Sequence, residues 1–138
     1  MQEMSALQQA FEHAPEVVLA VLFGSAARDR TRPRSDLDVG VLFVDDLDST
    51  SQLTVELERA TGRTVDLVRL DQAPALLRFE IARNGQAIVE RRPHAWSDFR
   101  ARAMVDWWDW APTARMLHEA AVARLRQRVK SGAQHGPA

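Results

Sequence analysis

The chain has 138 residues, of which 46% are apolar and 27% charged, a balance that suits one globular domain with a single core. The absence of cysteine excludes disulfides and thiolate metal sites, and a formal net charge of −1 gives no general attraction for nucleic acid, so no direct nucleic-acid partner is expected. No apolar run approaches membrane-spanning length and the first residues lack a secretory pattern, so the expectation is a cytoplasmic protein with no membrane partner.

Ser5-Ala6-Leu7-Gln8 has capping-box spacing and opens a helix in which Leu7, Phe11 and Ala14 share a face until Pro15. Val17 to Phe23 is a short apolar run ended by Gly24, the pattern of a strand buried on both faces. Residues 26 to 35 hold Arg28, Arg30, Arg32, Pro33 and Arg34 and read as a loop or short helix. A second strand is expected over Asp36 to Val44. Asp48-Ser49 with Gln52 then opens a helix carrying Leu53, Leu57 and Ala60 on one side, and Gly62 stops it. Arg63 to Leu70 reads as a third strand. Asp71 and Pro74 open a helix with Ala73, Leu77 and Ile81 on one face, closed by Asn84-Gly85, and Gln86 to Glu90 adds a short edge strand. Beyond Pro93 the chain reads as helical to about residue 130, with Pro112 marking a kink or a break. This predicts a core over about 15–92, C-terminal helices over about 93–130 in the same domain, and a disordered tail at 131–138.

Three aspartates and one glycine-serine turn carry the chemistry. Side chains alternate along a strand, so Asp36, Asp38, Gly40 and Leu42 share a face. Carboxylates at i and i+2 stand roughly 6.5–7 Å apart, within reach of a pair of metal ions about 3.5–4 Å apart. Gly40, next on that face, is expected to leave room beside them. Asp66 lies between Val65 and Leu67, where an unpaired carboxylate is expensive, and it completes the cluster if its strand lies beside the second. Glycine lets backbone approach a phosphate closely, and backbone N–H groups with the Ser25 hydroxyl suit holding one. Phosphate and metal meet only if Gly24-Ser25 and Asp36 share one rim. Strands one and two should therefore run antiparallel, while the helix between strands two and three favours a parallel crossover. The expectation is an α/β (α+β) fold: a small mixed sheet with helices packed on one side and a C-terminal helical extension.

Each piece alone has a plainer reading, as a turn, a solvated acid or a polar residue at a sheet rim. Their order together resembles the nucleotidyltransferase superfamily related to DNA polymerase β, and within it the minimal nucleotidyltransferase (MNT) proteins, many of them antitoxins paired with HEPN ribonuclease toxins. The matching residues are Leu22-Phe23-Gly24-Ser25-Ala26-Ala27-Arg28, Ser35-Asp36-Leu37-Asp38 and Val65-Asp66-Leu67-Val68, within about residues 17 to 90. The resemblance implies a nucleotidyltransferase fold in which Gly24, Ser25 and Arg28 contact the triphosphate of ATP. It implies that Asp36, Asp38 and Asp66 bind two Mg2+ ions, with Asp66 also helping to activate the attacking hydroxyl. It further implies transfer of AMP to a tyrosine of a HEPN toxin partner, with release of pyrophosphate. Asp29 departs from the glycine common after the family's arginine, and Gly40 from a larger apolar residue.

A chain this small leaves little surface for a bulky second substrate, so the acceptor is expected to bring its own. There is no tyrosine, so an acceptor tyrosine lies on another chain. Two rival readings are a small-molecule adenylyltransferase of the aminoglycoside type and an antitoxin that blocks its toxin by binding alone. The arginines at 28 to 34 suit either a phosphate or acceptor clamp or a solvated loop. Ala103, Trp107, Trp110, Ala114, Leu117 and Ala121 form a helical stripe that either packs on the domain or meets a partner. The four histidines show no metal-ligand spacing.

Overall fold

A computed structural model describes residues 2–24, 36–45 and 48–132. Its elements are α1 (Gln2–Phe11), β1 (Val17–Phe23), β2 (Leu37–Phe43), α2 (Thr50–Thr61), β3 (Val65–Arg69), α3 (Ala75–Asn84), β4 (Gln86–Glu90) and α4 (Ala95–Gly132). The strands form one mixed sheet in the order β3-β2-β1-β4. As the chemistry required, β1 is antiparallel to β2 and β2 is parallel to β3, while β4 pairs antiparallel with β1 and forms the far edge.

The apolar run of β1 makes it a central strand. Val17, Ala20 and Leu22 enter one core with Leu7 and Phe11 of α1 and Leu53 and Leu57 of α2. Leu19, Val21 and Phe23 enter a second core with Ile81 and Ala82 of α3 and Ala95, Phe99 and Ala103 from the start of α4. A register irregularity between Val17 and Leu19 turns Val17 onto the face of Ala20. Helices therefore cover both faces of the sheet, not one as the sequence suggested. The reason is that β1 and β2 carry apolar residues at consecutive positions, and both faces must be taken from water.

The helix ends show local causes. α1 starts earlier than the Ser5 capping box, because Met4 already packs on the core and Glu3 pairs with Arg63 at 3.3 Å. The Arg91 guanidinium donates to the carbonyls of Ala14 (2.7 Å), Val17 (2.6 Å) and Phe11, tying the end of α1 to β1 and the exit of β4. Asp48, rather than Ser49, accepts the first free N–H of α2, from Thr50 at 3.1 Å. Gly62 ends that helix at φ 68, where its N–H reaches the Glu58 carbonyl. Glu90 caps α4 by accepting the Trp96 N–H at 2.8 Å.

The chain separates into two compact units, residues 1–104 and 105–138. α4 is one continuous helix with Pro112 inside it, where a kink or a break was expected, so the proline does not break it. Ser131 and Gly132, assigned to the expected tail, are helical, and residues 133–138 lie outside the described residues. Among the described residues no helix is long and apolar enough to cross a membrane.

Candidate active site

β1 ends at Phe23, which pairs with Asp38 in the antiparallel register, and the next residue is Gly24 at φ 74. A side chain there is excluded twice over. The left-handed backbone disfavours it, and an added Cβ would stand 2.2 Å from Asp38 Oδ2. The turn backbone thus lies directly against the Asp38 carboxylate.

On the other side of β2, Asp38 is the register partner of Asp66. Parallel neighbours in register share a face, so the two carboxylates project side by side. Asp36, two residues before Asp38, falls on the same face. Asp36 and Asp66 are exposed and Asp38 is half-buried. Burial raises the Asp38 pKa above the ordinary carboxylate value, and the charges of Asp66 and then Asp36 raise it further. The Asp38 carboxylate therefore lies within the field of Asp66 and Asp36 at one rim of the sheet. Among the described residues no group of three or more histidine, aspartate or glutamate side chains is arranged to hold a metal ion. Ser25 and Arg28, named for the triphosphate, lie with the arginine segment outside the described residues.

Two further residues shape the rim, and the sequence did not single them out for it. The Glu58 carboxylate accepts the Val65 N–H at 2.9 Å, and the Thr64 carbonyl accepts the Leu37 N–H at 2.9 Å. Together they anchor the start of β3 to α2 and β2, and so set Asp66 level with Asp38. A glutamate four residues before a helix-ending glycine carries no pattern that separates this role from a solvated one. The room expected beside Gly40 is filled. An added Cβ would meet Leu70 Cδ2 at 2.5 Å, and Leu70 is buried there. Leu70 supplies the apolar bulk that Gly40 lacks.

Solved structures that share this fold at low sequence identity include toxin–antitoxin complexes. A toxin–antitoxin complex with AMP-PNP contains a chain 22% identical at TM-score 0.72, covering 86% of this chain and 98% of that one. A tri-AMPylated Shewanella oneidensis HEPN toxin in complex with MNT antitoxin gives 22% identity and TM-score 0.69, covering 88% and 99%. The MntA–HepT toxin–antitoxin structure gives 21% and 0.67, covering 86% and 97%. No curated protein matches. The family model "Polymerase beta, Nucleotidyltransferase" matches residues 5–94, well over half of the sequence and the whole of the rim just described. The chain therefore belongs to the polymerase β nucleotidyltransferase family.

Proposed function

We propose that this nucleotidyltransferase moves AMP from ATP to a hydroxyl of a partner protein, a HEPN-type toxin that it restrains as a cytoplasmic antitoxin. The observation that carries the reading is the rim, where Gly24 abuts the Asp38 carboxylate and Asp66 stands in register beside it. A strand-ending glycine admits phosphate oxygens to backbone N–H groups, and adjacent acids suit the cation that accompanies a triphosphate. The protein acceptor is supported by fold relatives solved with AMP-PNP and with an AMPylated HEPN toxin, and the lack of any tyrosine puts an acceptor tyrosine on another chain.

The chemistry of the donors suits Mg2+, although they do not stand as a ready three-ligand group: carboxylate oxygens are hard ligands, and the charges of Asp66 and Asp36, which add to burial in raising the Asp38 pKa, are what a divalent ion relieves. Asp36, Asp38 and Asp66 would hold it. When bound, Mg2+ neutralises the acids and polarises the phosphate that is attacked. Gly24, Ser25 and Arg28 orient the triphosphate. Asp66 accepts the proton of the acceptor hydroxyl as its oxygen bonds to the α-phosphorus. The bond from that phosphorus to the bridging oxygen breaks, and pyrophosphate leaves with the electron pair.

The test mixes the purified chain with a HEPN toxin, ATP and Mg2+ and weighs the toxin by mass spectrometry. The expected result is a gain in steps of AMP that disappears with Asp36→Ala/Asp38→Ala. A toxin silenced at unchanged mass would instead establish blockade by binding. AMP found only on a small acceptor would refute the protein target.

A further inference from the structure

Residues 105–132 of α4 leave large apolar side chains in water. Trp110, Leu117 and Leu125 are 42%, 60% and 57% exposed. With Trp107 and Ala121 they recur at steps of three and four residues along one helical face, the spacing of a two-helix seam. The seam is uneven. At one end the Trp107 and Trp110 rings lie 5.4 Å apart, while the other end offers only Ala121 and Leu125. Charge divides the same way, with Asp106 and Asp109 at the tryptophan end and Arg124, Arg126 and Arg128 at the other. A parallel pair of these helices would set tryptophan against tryptophan and like charge against like. An antiparallel pair sets large against small and acid against base.

We propose that α4 pairs antiparallel with α4 of a second copy of this chain, about a two-fold axis near positions 114 to 117. In that register Trp107 lies opposite Leu125, Trp110 lies opposite Ala121, and Leu117 falls beside the axis. Asp106 and Asp109 face Arg124 and Arg128 along one flank, and the symmetry repeats the match at the other end. The stretch from 107 to 125 is about 28 Å long. Pro112 and Trp108 fall on the side of the helix away from the seam, so the proline ring does not intrude. The pairing is separate from nucleotidyl transfer, and either reading stands if the other fails.

The full-length chain alone, with neither ATP nor partner, is expected to sediment as a concentration-dependent dimer, loosened by salt. Because the chain has no cysteine, Leu117→Cys introduces a single thiol that should give a disulfide-linked dimer on mild oxidation, whereas Trp108→Cys should not. Asp106→Arg/Asp109→Arg is expected to weaken association about tenfold at low salt, and adding Arg124→Asp/Arg128→Asp should restore it. Circular dichroism confirms that each variant stays helical. A chain that is monomeric at every concentration, equal cross-linking at both cysteine positions, or a reversal that is not rescued would each overturn the proposal. A seam covered by a toxin instead would give the first of these.

Discussion

Replacing Gly24 by alanine places a methyl group where the Asp38 carboxylate already stands. The new carbon would be 2.2 Å from Oδ2 and 3.0 Å from Cγ, and ordinary contact begins at 3.4 Å. The carboxylate must swing away by about 1 Å or the end of β1 must move. The backbone at φ 74 adds about 1–2 kcal/mol for any residue with a Cβ. The two effects together are expected to destabilise the protein by about 2–3 kcal/mol, a fall in Tm of roughly 6–12 °C. Asp38→Ala removes the clash and leaves only the backbone term. The double variant Gly24→Ala/Asp38→Ala should therefore be more stable than the sum of its single changes by about 1 kcal/mol. Urea unfolding followed by circular dichroism measures all four proteins. A single variant within about 0.5 kcal/mol of the parent, or strict additivity around the cycle, would refute the packing argument.

Asp38→Asn tests the electrostatics. A raised folded pKa means the native state holds that proton more tightly than the unfolded chain, so ionising Asp38 weakens the fold as pH rises through the folded value. The asparagine variant is therefore expected to be the more stable at pH 7 without Mg2+, with its advantage lost below the ordinary aspartate value of about 3.9. Thermal melts across pH check this, and an advantage that persists at low pH contradicts it. Glu58→Ala leaves the Val65 N–H without its acceptor and should cost about 1–2 kcal/mol and lower transfer, while Glu58→Gln keeps most of both. Equal losses in the two variants, read from melts and initial rates, would show that Glu58 does not set Asp66. Gly40→Ala is expected to lower stability by about 1–3 kcal/mol through its collision with Leu70. Gly40→Val/Leu70→Ala should recover part of that loss by returning the bulk to β2. No recovery in chemical unfolding would sink the exchange.

The chain order of elements was readable because each carries its own signal. β1 is a short unbroken apolar run, Gly62 and Asn84-Gly85 close their helices, and Val65 to Val68 is apolar around one acid. Strand directions followed from chemistry, since a phosphate turn and an acid pair are useful together only on one rim. The side-by-side placement of Asp38 and Asp66 required only that β3 lie next to β2.

Local pattern and spacing were therefore enough to read the strands, their directions and the placing of Asp38 beside Asp66 and a glycine turn. These are encoded in local pattern and in spacing along a chain of fixed reach. The tertiary structure alone decided that helices cover both faces, that Leu70 fills the gap over Gly40, that Glu58 holds β3 level, and that α4 runs unbroken past Pro112. These depend on which side chains from distant segments arrive at the same point. That outcome is set by packing and hydrogen-bond satisfaction across the fold, and no single segment carries it.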